Sequence, residues 1–336
     1  MDEKLILLGH GSGGGMSHEL IEGLFVRYFG NPLLLPLEDA STFRLPQGKA
    51  AFTTDSYVVK PLFFPGGNIG RLSVCGTVND LSMRGAEPLY LSAGFIIEEG
   101  FAVADLEKIV VSMSEATHEA GVSIVCGDTK VVERRAADGL YINTAGVGVV
   151  PDGVDISVQR ALPGDAVIVS GTIGDHGVTV LSQRQSLHFR SPLISDVAPL
   201  NRLVRSMLDA SPTIRVLRDP TRGGIATTLK EIAGNSSVGI EIDEELIPVS
   251  EAVKAACEML GLDYLYLANE GKLVAVVPEG DAGRVLEAMR GNIYGKNAAI
   301  IGHVTQDHPG IVTIRNAYGI KRIVEMLASD QFPRIC

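Results

Sequence analysis

Five aspartates, Asp39, Asp55, Asp80, Asp128 and Asp219, stand in polar turns or beside the ends of apolar runs. A single aspartate in such a place usually caps a helix or closes an Asx-turn. Five in similar settings point to a shared Mg²⁺–phosphate site, because Mg²⁺ is held by carboxylates together with phosphate oxygens. The loop Gly9-His10-Gly11-Ser12-Gly13-Gly14-Gly15 could close over those phosphates and offer its backbone N–H groups. Glu270 and Lys130 can each move a proton, and each could equally be half of a salt bridge. The last residue is Cys336, a residue type otherwise among the most buried. The tail Pro333-Arg334-Ile335-Cys336 could offer its thiol to one protein and then swing it into another pocket. A frayed terminus that happens to finish in cysteine is the plain alternative. Prenylation is a poor explanation, since it needs the cysteine four positions from the end.

Nucleotide binding needs a route, and several are closed. No G-x-x-x-x-G-K-[ST] occurs, which excludes a P-loop ATPase. Gly9-x-Gly11-x-x-Gly14 matches the dinucleotide fingerprint, with Glu38 and Asp39 near the place of a ribose-binding acid. A nicotinamide-dependent oxidoreductase therefore stays open, although Pro36 interrupts its second strand. The formal net charge is −11 and no Lys/Arg-rich run appears, which argues against nucleic acid as a partner. Cys75, Cys126 and Cys257 lie in apolar stretches and read as core thiols; no C-x-x-C pair suggests structural zinc. The N-terminus lacks a signal-peptide pattern, and no apolar run is long enough for a membrane span. The expected setting is reducing and cytoplasmic, with no membrane partner.

The elements that would position these groups alternate between strand and helix. Strands are expected at residues 4–8, 50–54, 89–97, 122–125 and 141–150, and helices from about residue 17, at 68–84 and at 106–120. After Pro151 a second unit begins. It has strands near 166–169, 214–217, 273–277, 298–304 and 311–314, and helices near 176–183, 197–208 and from Gly224 to about residue 233. The fold class is α/β (α+β). The expected domains are residues 1–155, residues 156–328 and a mobile tail, 329–336, that carries Cys336.

Six motifs give these elements a family. They are Thr54-Asp55-Ser56, Pro65-Gly66-Gly67-Asn68-Ile69-Gly70, Cys75-Gly76-Thr77-Val78-Asn79-Asp80, Gly127-Asp128-Thr129-Lys130-Val131-Val132, Asp219-Pro220-Thr221-Arg222-Gly223-Gly224 and Asn269-Glu270-Gly271-Lys272. They resemble the ATP-binding superfamily of aminoimidazole ribonucleotide synthetase. With Pro333-Arg334-Ile335-Cys336, nearly the whole chain resembles the HypE family of nickel–iron hydrogenase maturation factors. Selenophosphate synthetases of the same superfamily carry a reactive residue beside the glycine loop; here that loop holds His10 and Ser12 and no cysteine. Thiamine-phosphate kinases share the aspartates but have no use for a terminal thiol.

The resemblance implies a two-domain fold, a homodimer formed by the N-terminal domains, and ATP with Mg²⁺ as cofactors. It implies that a HypF-type carbamoyltransferase places a carboxamide on Cys336. ATP-dependent dehydration then gives an S-cyanide, which passes to iron on a HypC–HypD complex. On that pattern Asp55, Asp80 and Asp128 hold metal. His10, Gly11, Ser12, Gly13, Gly14, Asp39, Asn68, Asp219 and Arg222 contact the nucleotide, and Glu270 and Lys130 handle protons for Cys336. A non-catalytic carrier that only ferries a group on Cys336 is the remaining alternative.

Overall fold

Period-two alternation along Glu87–Glu98 leaves one face of that strand for packing. In the computed structural model, which describes residues 4–185, 187, 193–326 and 334–336, this strand lies inside a four-stranded sheet. The order is Lys49–Tyr57, Leu140–Val150, Glu87–Glu98, Ser123–Val132. The successive pairings are antiparallel, antiparallel and parallel. The parallel pair needs a crossover, and helix Val103–Ala120 supplies it. That helix and Ile69–Met83 cover one face, where Leu72, Val78, Ile109 and Met113 share a core with Leu91 and Phe95. Asn68 starts Ile69–Met83 by accepting from the N–H groups of Gly70 and Arg71 at 2.8 and 3.1 Å. Gly76 lets that helix lie against Tyr57, whose hydroxyl a Cβ would strike.

The second sheet has seven strands in the order Lys321–Ile323, Val312–Arg315, Gly239–Asp243, Ala299–Thr305, Ala166–Val169, Val274–Val277, Val216–Arg218. Ala166–Val169 and Val274–Val277 are apolar at every position because both faces are covered there. Val167 and Val169 face one core, with Ile225, Leu229 and Ile240, while Ala166 and Ile168 face another, with Leu203, Met207 and Val285. Among the described residues no helix is long and apolar enough to cross a membrane.

The structure departs from the sequence-based expectations at several places. Residues 4–8 are not a strand: Leu5 makes only an isolated bridge to Ala102, and the chain then enters the 3-10 turn Leu8–Gly11. The next helix begins at Gly15 and passes through a π-helical stretch, Ile21–Val26. Residues 197–200 are not helical, because their backbone groups are spent on the other domain. The Val197 and Ala198 carbonyls accept from Arg71 Nε (3.2 Å) and Asn79 Nδ2 (3.0 Å), so the helix starts at Asn201. Of the expected tail 329–336, residues 329–333 lie outside the described residues.

Asn79 is the staple between the two units. It is 2% exposed, donates to the carbonyls of Ala198 and Glu270 (3.0 and 3.3 Å) and accepts from Leu200 N at 2.7 Å. Asn79→Ala would strand three buried backbone groups at once, each worth roughly 1–3 kcal/mol if left dry. Urea unfolding should show a loss of about 2–4 kcal/mol in this variant, allowing for partial relaxation. An unchanged midpoint would mean that the junction is held elsewhere.

Candidate active site

The middle of strand Lys49–Tyr57 and the last turn of helix Ile69–Met83 meet the strand Val216–Arg218 across a cleft of about 310 Å³. Thr53, Asp80, Arg218 and Asp219 line it. Thr53 Oγ1 donates to Asp80 Oδ2 at 2.9 Å. Burial, and then the neighbouring Asp219 carboxylate, push Asp80 up to about 7. Asp219 is also raised, by burial first and by Asp55 among its charged neighbours. Arg84 and Arg218 are the cations in this wall. Arg218 pairs with Glu231 at 2.5 Å, and its Nε is buried without a hydrogen-bond partner.

Glu270 lies behind this cleft, 4% exposed, with Oε1 buried and unpartnered. Burial raises its pKa well above the usual carboxylate range, and Asp196, Asp219, Asp55 and Asp80 raise it further. Its backbone is held from both sides. Glu270 N donates to Asp196 Oδ1 at 3.0 Å, and its carbonyl accepts from Asn79. Asp196 also pairs with Lys272 Nζ at 3.1 Å, with both side chains largely buried. Gly271 must be glycine, since a Cβ there would collide with the Asp196 carbonyl. Asn269 donates to the Pro220 carbonyl at 2.9 Å and so ties the Asp219-Pro220 turn to Glu270.

A second cavity, about 350 Å³, opens at the far edge of the first sheet. His10, Gly11, Gly13, Asp39, Asp128 and Lys130 line its polar side, and Phe25, Phe29 and Phe95 line its apolar side. Lys130 Nζ lies 2.8 Å from Asp128 Oδ1, and this contact holds Asp128 below its ordinary pKa. The glycine loop is braced by its own residues: Ser17 Oγ accepts from Gly13 N at 2.9 Å, and Ser12 Oγ donates to the Gly9 carbonyl at 2.9 Å. Gly11 lies directly on the strand, where a Cβ would meet Val131. Among the described residues no strand precedes this loop, so the dinucleotide fingerprint lacks its structural context.

The described end of the chain is docked. Val58 N donates to the Cys336 carbonyl at 3.2 Å and Lys60 N to the Arg334 carbonyl at 3.3 Å, an antiparallel pairing that extends the line of strand Lys49–Tyr57. Ile335 is 5% exposed and joins the first domain's core. Arg334 reaches Asp138 at 2.6 Å and the Val58 carbonyl at 2.9 Å. Cys336 itself is half-buried.

Several expected site residues thus come together and others do not. Asp55, Asp80, Asp219 and Glu270 share one electrostatic neighbourhood. Asp128 does not join Asp55 and Asp80 within one chain. In register, Asp55 aligns through Thr144 and Ala93 with Gly127, three strands away, which is roughly 14 Å at about 4.8 Å per strand. Asp128 is one position off that line and projects from the opposite face. Among the described residues no group of three His, Cys, Asp or Glu is placed to hold a metal ion. Lys130 lines the glycine-loop cavity and Glu270 does not. Asn68 is a helix cap, and Arg222 is exposed and lines neither cavity. Cys75 and Cys257 are buried, with pKa values pushed to about 12 and about 11 by burial. Cys126 instead stands half-buried in the cavity wall. Sequence reasoning missed Arg218, Asp196 and His176. Of these, only Arg218, next to Asp219, adjoins a residue singled out for its chemistry.

Residues 37–150 match the family model described as AIR synthase related protein, N-terminal domain, and residues 163–315 match its C-terminal domain. The two sheets are therefore the two domains of an AIR synthase related protein. The chain is 56% identical over 330 residues to carbamoyl dehydratase HypE of Rhizobium leguminosarum bv. viciae, covering 98% of this chain and 94% of that one. It matches the crystal structure of hydrogenase maturation protein HypE in complex with ATP with a TM-score of 0.95 at 51% identity, over 98% and 99% of the two chains. A chain from the crystal structure of a HypE–HypF complex matches with a TM-score of 0.82 at 55% identity, over 92% of this chain and 99% of that one. The chain belongs to the carbamoyl dehydratase HypE family.

The raised pKa of Asp80 makes a pH prediction for the protein in chelator without nucleotide. The folded state keeps this proton up to about 7, while the unfolded chain releases it near the ordinary aspartate value of 3.8. Stability from this group is therefore complete at low pH and is lost as pH rises towards 7. Asp80→Asn should be more stable than the parent at pH 8, by on the order of 1–3 kcal/mol, and no more stable at pH 4. Urea midpoints at the two pH values measure this; parallel shifts would show that Asp80 titrates normally.

Proposed function

We propose that the chain carries out ATP-dependent dehydration of an S-carboxamide on Cys336 to an S-cyanide, the source of cyanide ligands for the iron of nickel–iron hydrogenase. The observation that carries this reading is 56% identity to a carbamoyl dehydratase, in a chain whose Cys336 is seated beside Val58, three residues past Asp55. An amide oxygen is a very poor leaving group. Transfer of the γ-phosphoryl group of ATP to that oxygen forms a P–O bond and releases ADP. Loss of the two nitrogen protons and cleavage of the C–O bond then expel phosphate and leave a nitrile on sulfur.

The residues supply what this sequence of steps needs. Gly11 and Gly13 would offer backbone N–H groups to phosphate, with His10 and Asp39 lining the same cavity and Ser12 and Gly14 completing the loop. Arg218, whose Nε is buried and unpartnered, adds a cation that Arg222 does not provide. Asp80 and Asp219, buried carboxylates close enough that Asp219 raises the pKa of Asp80, fit a hard cation held jointly with phosphate oxygens. When bound, Mg²⁺ would supply the positive charge that offsets both the phosphates and these carboxylates. Glu270, whose pKa is raised first by burial and then by the neighbouring carboxylates, becomes a stronger candidate base once that charge is offset. Lys130 is the second proton handler.

A homodimer would complete the site. Asp55 lies on one edge strand of the first sheet, and Asp128 with Lys130 on the opposite edge. A second copy could bring one chain's Asp128 and Lys130 to the other's Asp55 and Asp80. Phe52, 71% exposed, and Ile96, 45% exposed, offer apolar surface for such a contact. The carbamoyl donor would be a HypF-type partner, as in the HypE–HypF complex, and the acceptor an iron-carrying HypC–HypD complex in the cytoplasm.

Mass spectrometry of the C-terminal peptide tests the reading. The carboxamide should appear on Cys336 after incubation with the carbamoylating partner, and loss of one water should follow only with ATP. Glu270→Gln should bind ATP and accept the carboxamide but dehydrate it about 10²–10⁴-fold more slowly, the usual worth of a general base. Full activity from Cys336→Ser, or dehydration without ATP consumption, would end the proposal.

A further inference from the structure

His176 takes no part in the reading above, yet both of its ring nitrogens are committed. The residue is 0% exposed, in the first turn of helix Asp175–Arg184, with Phe64 packed edge-on at 5.4 Å. Nε2 lies 2.8 Å from the Ile335 carbonyl, and Nδ1 lies 2.8 Å from Ser195 Oγ. A carbonyl can only accept, so Nε2 carries the proton and Nδ1 accepts from the Ser195 hydroxyl. Burial holds the ring's pKa down, in keeping with this neutral tautomer. The bond to Ile335 joins residues 159 positions apart, one residue short of Cys336.

The other side of the ring leads to the acid site. Ser195 N donates to the Pro65 carbonyl at 2.9 Å, which pins the segment to the first domain. Asp196, next in the chain, accepts from Glu270 N and pairs with Lys272. The dipeptide Ser195-Asp196 thus connects the ring that holds Ile335 to the backbone that holds Glu270. Arg334 and Ile335 have their own seats, at Asp138 and in the core. His176 is fully buried and grips the main chain one residue before Cys336.

We propose that His176 is a positioning residue for Cys336. It sets the depth of the docked segment through the Ile335 carbonyl, and through Ser195-Asp196 it keeps that seat in register with Glu270. The inference rests on the dehydration reading for its effect on rate, since reacting atoms must be held about 3–3.5 Å apart. The docking itself does not depend on that chemistry.

The test uses the full chain with His176→Leu, His176→Gln and Ser195→Ala. The first readout is the alkylation rate of Cys336 by iodoacetamide, followed by peptide mass spectrometry, with buried Cys75 and Cys257 as internal references. His176→Leu should raise the Cys336 rate by about 5- to 30-fold, the worth of a lost buried hydrogen bond, while both references stay slow. His176→Gln, whose amide can donate near the position of Nε2, should restore most of the protection. Ser195→Ala should act in the same direction as His176→Leu by a smaller factor, and it decides the matter if the leucine variant does not fold. Single-turnover dehydration of the carbamoylated protein should fall at least about 10-fold in His176→Leu, with ATP affinity unchanged, and recover in His176→Gln. Unchanged Cys336 alkylation, or equal exposure of Cys75 and Cys257, would overturn the proposal and leave a packing role. If alkylation responds as expected while the parent protein forms no cyanide, the docking role stands and the dehydration reading falls.

Discussion

Carboxylates crowd the junction between the two domains, and most of the surrounding structure is arranged to tolerate them. Burial, and then the charges of neighbours such as Asp55 and Asp219, make Asp80 and Glu270 hold protons well above the ordinary carboxylate range. Like charges in a partly dry space would push their elements apart unless the backbone were fixed independently. Asn79 and Asn269 do the fixing. They are neutral, fully buried amides that bind the Leu200, Ala198, Glu270, Gly174 and Pro220 backbones. A charged residue in either place would have added to the repulsion. Asparagine supplies a donor and an acceptor without charge. The net excess of negative charge at the junction is then available to a cation and to whatever arrives with it.

How much of this was legible in the sequence follows from the range of each contact. The apolar alternation of Glu87–Glu98 and the all-apolar Ala166–Val169 and Val274–Val277 are local patterns, and they placed both sheets. Asp80 and Asp219 stood out as residue types in turns, but their proximity depends on domain docking that no local pattern encodes. Residues 4–8 look like a strand because apolar bias cannot reveal how far pairing runs: Lys4 and Ile6 bond to Gly100, Phe101 and Val103, and the chain then turns at Leu8. Asn79 was quoted as the neighbour of a metal candidate, whereas its own role spans 191 positions to Glu270. His176, Asp196 and Lys272 fall in the same category, since each is ordinary until the fold brings its partner to it.

The glycine loop shows the opposite case, in which a motif was visible and its meaning ambiguous. Gly9-x-Gly11-x-x-Gly14 reads equally as a dinucleotide turn or a phosphate flap until the preceding segment is seen to be no strand. Gly11 is fixed by contact with the Val131 backbone, while Gly13 takes a left-handed φ of 79° with nothing near its missing side chain. One glycine serves close packing and the other conformation. Sequence spacing alone cannot separate these two uses.

The residue types of the final segment make sense as a set once its seat is described. Arg334 adopts φ 57°, a conformation that disfavours a bulky residue, so its retention needs a return. The return is the ion pair with Asp138, which also holds Lys60 at 2.8 Å and is kept below its ordinary pKa by both cations. Ile335 contributes burial, and the segment's carbonyls are taken up by Val58, Lys60, Arg184 and His176. These contacts read the backbone of the segment and the side chains of Arg334 and Ile335. A docking mode that ignored Arg334 and Ile335 and gripped the thiol would have to be rebuilt for each chemical state of Cys336. A mode that grips the chain one and two residues earlier accepts all of them.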